Sequence, residues 1–255
     1  MLRIVIIGTG RVATQLALAI TVKDRPLRLV QLFGRDEAHT REFSELCGNI
    51  PYTTDKNQLQ PADLYLCSVK DDAISDVLQG MHFGSGMLVH TAGSVPMELL
   101  SGFACHYGVF YPLQTFSREK VVDFSKITAY IEANDNYLDL ILKPFANELC
   151  GQVRQVDSAT RAQLHLAAVF ACNFTNHLYT RADELMQQAG LPFDDLLPLI
   201  DETVEKIHHI SPAMAQTGPA RRKDRVVCDR QRAALKGQTA AIYELMSQCI
   251  WQYYD

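Results

Sequence analysis

Residues 164–179, LHLAAVFACNFTNHLY, combine the apolar spacing of a helix with two histidines and two asparagines. His165, Val169, Asn173 and Asn176 recur at intervals that keep them on roughly one side of an α-helix. A histidine titrates near neutral pH and can pass a proton to an atom that develops charge, and an asparagine can hold a substrate. We therefore predict catalytic roles for His165 and Asn173. The alternative is that both bond neighbouring groups inside a helical core.

The chain opens with a β-branched run that ends in a glycine-rich turn, IVIIGTGRVATQL. Between a strand and a helix, the spacing G-x-G-x-x-A is typical of dinucleotide binding. The first glycine permits the tight turn, the second lets backbone amides approach a pyrophosphate, and the alanine lets the helix lie close to the strand. We expect cofactor contacts from Gly8, Thr9, Gly10, Arg11, Val12 and Ala13. The alternative is a turn that holds no ligand.

The end of the second predicted strand decides between the two nicotinamide cofactors. NAD sites usually place an acid there for the ribose 2′-hydroxyl, whereas this chain has Gly34, Arg35 and Asp36. Arg35 can pair with the 2′-phosphate of NADP through charge-assisted hydrogen bonds. Asp36 either caps the next helix or is the ribose acid shifted in register, which would favour NAD. We predict NADP, with NAD as the alternative.

Two further loops follow predicted strands, so both should lie at the carboxyl edge of the sheet, where dinucleotides bind. The loop in CSVKDDAI is expected to contact the cofactor through Ser68, Val69 and Lys70. The loop in VHTAGSV is expected to lie near the nicotinamide and to contribute Thr91, Ala92 and Gly93. Ser94, which follows, is a predicted substrate contact.

The stretch YPLQTFS also follows a predicted strand and is a candidate substrate loop. Gln114 and Thr115 are the predicted substrate contacts, and Tyr111 and Phe116 are expected to wall a pocket. In TGPARRKD, the backbone of Gly218 and the side chain of Arg221 could bind a carboxylate or phosphate. The alternative for this second stretch is a solvated, charged start of a helix.

The candidate site residues can form one site only if the strands before them end at the same edge of a sheet. The first part of the chain has the required pattern, because strand-like and helix-like segments alternate. The predicted strands are residues 2–7, 27–33, 63–69, 87–91, 104–110, 127–132 and 152–156. Such alternation predicts an α/β fold with a Rossmann-type, doubly wound, mostly parallel sheet.

Long helical patterns follow, over residues 160–188, 193–208 and 230–253. We therefore predict a dinucleotide-binding domain over residues 1–156 and an all-α domain over residues 157–255, with the active site in the cleft between them. The apolar face in AAIYELMSQCIWQYY predicts a homodimer formed through the helical domain.

Charge and cysteine content indicate which binding partners and which cellular compartment to expect. The formal charge of -5 argues against nucleic acid, and the sequence has no apolar stretch long enough to span a bilayer. The seven cysteines form no CxxC pair, which argues against a zinc site and favours a reducing cytoplasm. The expected partner is a small-molecule substrate, and no metal is predicted.

Several motifs together resemble known families. IVIIGTGRVA, GRD and SVKD are similar to the Rossmann domains of pyrroline-5-carboxylate reductases and F420-dependent NADP oxidoreductases. HTAGSVPMELL, GVFYPLQTFS, LHLAAVFACNFTNHLY and TGPARRKD resemble bacterial Rossmann-like proteins with a C-terminal domain of unknown function, DUF2520, over nearly the whole chain. The resemblance implies NADP oxidoreductase chemistry without an established substrate. It also implies a helical domain similar to that of 6-phosphogluconate dehydrogenase relatives, which often dimerise through it.

The first helix after the α/β part is also similar to the K-x-x-x-N-x-x-x-N pattern of ketopantoate reductases. In that alignment His165 takes the lysine position, Val169 replaces the first asparagine, and Asn173 matches the second. The loss of the lysine and one amide argues against a ketopantoate substrate.

The prediction is therefore an NADP-dependent oxidoreductase that moves a hydride to or from a C=O or C=N bond of a small, anionic metabolite. A non-catalytic NADP-binding sensor or interaction protein is the alternative, because a Rossmann fold does not by itself establish catalysis. A structural protein with an empty glycine turn is the third hypothesis.

Overall fold

The computed structural model describes residues 1–117 and 120–254, which form two compact units. The first is Met1–Cys172 and the second begins at Asn173. The first unit therefore includes the helix that carries His165, whereas the sequence placed a domain boundary at residues 156–157. The predicted division into functional domains stays a prediction.

One sheet organises the first unit. Its strands are β1 (Leu2–Ile7), β2 (Leu27–Phe33), β3 (Tyr52–Thr53), β4 (Leu64–Cys67), β5 (Met87–His90), β6 (Tyr107–Pro112), β7 (Thr128–Ala133) and β8 (Gln152–Gln155). They lie in the order β3-β2-β1-β4-β5-β6-β7-β8. This confirms the predicted mostly parallel α/β sheet. The two-residue strand β3 was not predicted, and β6 begins and ends later than the predicted strand 104–110.

The direction of the sheet reverses once, between β6 and β7. These two strands pair antiparallel, whereas β7 and β8 pair parallel to each other. An antiparallel neighbour needs no crossover helix, and a short turn at Phe124–Lys126 lies in this connection. The carboxyl ends of β1, β2, β4, β5 and β6 therefore share one edge, and β7 and β8 end at the opposite edge.

Among the described residues, the α-helices of the first unit are α1 (Arg11–Ile20), α2 (Glu37–Leu46), α3 (Ile74–Leu78), α4 (Lys143–Leu149) and α5 (Ser158–Ala168). Both faces of the sheet are covered, as parallel sheets require. Along β1, Ile4 and Ile6 pack into one apolar cluster and Val5 and Ile7 into another, because alternate side chains point to opposite faces.

The second unit is helical, with α6 (Thr175–Gln188), α7 (Leu197–His209), α8 (Pro212–Ala215), α9 (Arg225–Ala233) and α10 (Gly237–Tyr253). The predicted single helix over 230–253 is two helices, α9 and α10. The break ends at Gly237, whose φ of 56° suits glycine and few other residues. Among the described residues no helix has the length and apolar character that a membrane span requires.

Candidate active site

A cavity of about 750 Å³ opens in the first unit where β1, β2, β4, β5 and β6 end. Its lining comes mainly from the loops that follow these strands, which is where doubly wound sheets bind ligands. The predicted cofactor residues that line it are Gly8, Thr9, Gly10, Arg11, Val12, Gly34, Arg35, Asp36, Ser68, Val69, Lys70, Thr91, Ala92 and Gly93. Ala13 is instead fully buried between helix α1 and the sheet.

The first turn has the geometry that pyrophosphate binding requires. Gly8 has φ 117°, and a Cβ there would lie 2.3 Å from the backbone oxygen of Ser68. Gly10 is the N-cap of α1, and a Cβ there would meet nothing within 4 Å. No side chain caps α1 among the described residues, so its first N–H groups and its positive end face the cavity.

The corner after β2 shows that Asp36 caps the next helix, and its contact with the ribose stays a prediction. Its carboxylate accepts a hydrogen bond from the backbone N–H of His39 at 2.8 Å and begins helix α2. Arg35 and His39 both line the cavity beside it. His39 was not predicted from the sequence, and its position three residues after the capping aspartate indicates only that its backbone N–H is capped. The corner therefore offers two cationic or donor side chains and a carboxylate used for capping.

The loops after β4 and β5 are joined by side-chain hydrogen bonds. Thr91 Oγ1 donates to Ser68 Oγ at 3.2 Å, and Ser94 Oγ donates to Asp71 Oδ2 at 2.6 Å. Asp71 lines the cavity, whereas Ser94, the predicted substrate contact, does not. Ser94 therefore positions a carboxylate at this end of the cavity, and its contact with substrate stays a prediction.

His90 holds the loop that follows β5. Its side chain is fully buried at the end of β5, and its Nδ1 accepts a hydrogen bond from the Ala92 N–H at 3.2 Å. Burial lowers the pKa of His90 to about 4, and the positive charge of Arg161 acts in the same direction. His90 is therefore neutral at neutral pH, and its ring holds the residues predicted to lie near the nicotinamide.

His165 meets Tyr111 in the same cavity. Tyr111 Oη and His165 Nδ1 lie 3.0 Å apart, and their rings meet edge to face. Both residues line the cavity with Gly93, where a Cβ would lie 2.6 Å from His165 Nδ1. Burial raises the pKa of Tyr111, as does the negative charge of Asp71, so the phenol keeps its proton at neutral pH. The sequence indicated Tyr111 only as a pocket wall.

An anchor of buried polar groups holds the start of helix α5. Arg161 is 1% exposed, forms an ion pair with Glu132, and donates to the backbone oxygen of Val95. Ser158 Oγ donates to the same glutamate at 2.8 Å and accepts from the Met97 N–H at 3.0 Å. Sequence reasoning missed this anchor, because no local pattern shows that these segments meet.

Some of the remaining predicted site residues line the cavity and others do not. Gln114 lines the cavity, but Thr115 does not, and the Thr115 N–H donates to the Gln114 side chain at 2.8 Å. Asn173 is exposed and lies in a π-helical segment, Val169–Phe174. Its predicted alignment with His165 assumed α-helical periodicity, which a π-helical turn alters. The catalytic role of Asn173 stays a prediction.

Gly218 and Arg221 belong to the second unit. Gly218 has φ 102°, and the guanidinium of Arg221 lies 4.1 Å from the centre of the Tyr254 ring. This cation–π contact gives Arg221 a structural partner near the C-terminus. Its role as an anion-binding residue stays a prediction. Within residues 1–117 and 120–254, His, Cys, Asp and Glu form no group of three that could hold a metal ion.

Comparison with known proteins gives both sequence and structural matches. Residues 127–250 match the domain of unknown function DUF2520. A Bacteroides fragilis protein that is provisionally named an NADP oxidoreductase shares 43% identity over 98% of each chain, with a TM-score of 0.89.

Two more distant structures have the same fold. A Thermotoga maritima protein is 20% identical over 98% of each chain, with a TM-score of 0.71. The pyrroline carboxylate reductase of Plasmodium falciparum, solved with NADP bound, is 13% identical over 100% of this chain and 98% of its own, with a TM-score of 0.64. No curated protein matches the chain.

Proposed function

The chain belongs to the Rossmann-like family that carries the DUF2520 domain, and we propose that it is an NADP-dependent oxidoreductase acting on a small molecule. One observation carries the proposal: a single cavity joins the dinucleotide-binding turn, the Arg35 corner and a proton-bearing pair, Tyr111 and His165. A sensor would need the first two features but not the third.

The proposed reaction moves a hydride to or from a C=O or C=N bond. Bound NADPH would supply the hydride, and the protein would supply position and a proton. Reduction of either bond places negative charge or basicity on the oxygen or nitrogen, and a nearby proton donor stabilises that atom. Tyr111 and His165 lie in the cavity within hydrogen-bond distance of each other and are suited to this task. The anionic character of the substrate, which rests on Gly218 and Arg221, remains an expectation.

The choice of NADP rests on the corner after β2. Arg35 can form charge-assisted hydrogen bonds with a 2′-phosphate, and His39 lies beside it. The Asp36 carboxylate already accepts a hydrogen bond from the His39 N–H as the cap of helix α2, which favours Arg35 over Asp36 as the residue that distinguishes the two cofactors. The NADP-bound relative from Plasmodium falciparum supports the same cofactor through its fold.

Titration of the purified protein with NADPH and with NADH, read by nucleotide fluorescence, tests both claims. We expect tighter binding of NADPH. Arg35→Ala should weaken the binding of NADPH by about tenfold to a hundredfold, since a hydrogen bond to a charged group contributes about 1.5–3 kcal/mol. The binding of NADH should be nearly unchanged.

Arg41→Ala is the matched control, because Arg41 is an exposed arginine of helix α2 that does not line the cavity. Tighter binding of NADH would transfer the ribose contact to Asp36 and make NAD the cofactor. If neither nucleotide binds, the proposed function is wrong.

We also propose that the protein forms a homodimer through its helical unit and that it works in the cytoplasm. The first claim is supported by exposed apolar side chains on α7, such as Leu199 and Ile207. The second is supported by seven free cysteines, which suit a reducing compartment.

A further inference from the structure

We propose that Tyr111 and His165 act as one coupled proton-transfer pair that faces the nicotinamide ring, a role that rests on the proposed NADP-dependent function. Tyr111 Oη would donate its proton to the substrate oxygen or nitrogen. His165 would restore that proton from Nδ1 and exchange its own with solvent. In the reducing direction, bound NADPH would supply a hydride to the carbon and the pair would supply one proton to the heteroatom, which gives NADP⁺ and the reduced substrate.

The first argument is the position of the pair. Tyr111 lies on β6, near the edge where β1, β4 and β5 end, and His165 lies on helix α5. Their side chains come from positions 54 residues apart and lie 3.0 Å apart. The His165 ring also packs on Gly93, in the loop predicted to lie near the nicotinamide. The pair therefore occupies the end of the cavity that lies away from the Arg35 corner.

The second argument is the chemistry of the two groups. A half-buried phenol whose pKa is raised by burial and by a negative charge holds its proton until a stronger base forms, which is what a proton donor must do. A phenolate formed in the reaction would be stabilised by an imidazolium at hydrogen-bond distance, and proton transfer from Nδ1 would neutralise both. Tyr111 alone lacks a route to recover its proton, and the His165 hydrogen bond provides one.

The third argument concerns the charged and titratable groups that act on Tyr111. Asp71 approaches from the loop after β4, Arg161 from helix α5, Tyr130 from β7, and Cys172 from the π-helical segment. Asp71 and Arg161 have opposite charges, and each is held by its own hydrogen bonds. His165 is thus the group of this cluster whose type ordinarily changes charge near neutral pH.

The charge difference between the two cofactor forms allows a test without a known substrate. The nicotinamide ring of NADP⁺ is cationic and that of NADPH is neutral, so an imidazolium beside the ring opposes NADP⁺ alone. The ratio of the NADP⁺ and NADPH dissociation constants should then rise at least about threefold from pH 8.5 to pH 5.5, as expected from repulsion between two nearby charges. The 2′-phosphate also changes charge in this range, but it acts on both forms equally and cancels in the ratio, as do the charges of the Arg35 corner.

Three variants separate the contributions of His165 and Tyr111 to this pH dependence. His165→Gln should make the ratio independent of pH, because an amide does not titrate. Tyr111→Phe should move the midpoint of the pH dependence to lower pH, because the phenol oxygen no longer accepts a hydrogen bond from the protonated ring. Tyr107→Phe removes a phenol from the same strand outside the cavity and should match the wild type. Thermal unfolding of each variant checks that it is folded.

The outcomes are distinct. A ratio that does not depend on pH in the wild type, or that keeps its dependence in His165→Gln, would overturn the inference. If His165→Gln abolishes the dependence but Tyr111→Phe leaves the midpoint unchanged, His165 faces the ring without coupling to Tyr111, and the pair is also rejected. Failure of both nucleotides to bind would instead reject the proposed function.

Discussion

At the scale of single residues, the two glycines of the first turn have different tasks. Gly8 is required by the fold, because its φ is positive and the Ser68 backbone fills the space where a side chain would begin. Gly10 has a backbone conformation open to any residue and empty space around it. The sequence motif names both positions but does not separate a requirement of folding from a requirement of ligand approach.

Substitution of each glycine by alanine is therefore expected to affect a different property, stability for Gly8 and cofactor binding for Gly10. Gly8→Ala should lower the free energy of unfolding by more than about 2 kcal/mol, since strained backbone and a steric clash add. Gly10→Ala should leave stability nearly unchanged but weaken NADPH binding at least about tenfold, because a methyl group would occupy the approach of the pyrophosphate. Urea unfolding and fluorescence titration measure the two quantities. A stable Gly8→Ala protein would contradict this assignment.

At the scale of elements, helix α5 delivers His165 to the cavity. The helix starts near the edge where β7 and β8 end and brings His165 to Gly93 at the opposite edge. The reversal between β6 and β7 makes this crossing possible, since a fully parallel sheet would have released the chain at the cavity edge. The anchor of Arg161 and Glu132 holds the first turns of the helix, one turn before His165.

Arg161→Met is expected to lower the free energy of unfolding by about 3–5 kcal/mol, because it leaves the Glu132 carboxylate without its buried partner. Arg161→Lys should recover only part of this loss, since an ammonium cannot make the forked contacts of a guanidinium. Arg154→Met is the control, because Arg154 is an exposed arginine on β8, and it should change the free energy of unfolding little. Equal urea midpoints for Arg161→Met and Arg154→Met would show that the anchor contributes nothing.

At the scale of the whole molecule, the helical unit has little core of its own. Among the described residues, its buried side chains are small: Ala220, Cys228, Ala240 and Ser247. Large apolar side chains on α7 and α10 are exposed, with Leu199 64% and Leu245 61% accessible. Monomeric proteins rarely leave such apolar surfaces uncovered, and a second copy of the chain is the partner we propose.

Sedimentation velocity at micromolar concentration should therefore give a dimer. Leu199→Asp should shift the protein toward a monomer, because a carboxylate buried in an apolar interface loses its hydration. Leu46→Asp, at an exposed leucine of the first unit, should leave the dimer intact. A wild-type monomer would contradict the proposal.

Features that depend on neighbouring residues could be predicted from the sequence. The glycine turn, the strands β1 and β2, the aspartate before α2 and the helical second part all have local patterns, because backbone conformation and capping act over a few residues. These patterns were sufficient to predict the Rossmann fold and the loops that line the cavity. They were not sufficient for the π-helical segment at Val169–Phe174 or the break before Gly237, where local geometry departs from regular periodicity.

Contacts between side chains that are distant in the sequence became visible in the three-dimensional structure. The pair of Tyr111 and His165 and the anchor of Arg161 on Glu132 join positions far apart in the chain. Their contacts depend on strand order and on the reversal at β7, which leave no signature in any one segment. A single sequence therefore predicted His165 as a candidate but not its partner, because hydrogen-bond partners are set by packing in space.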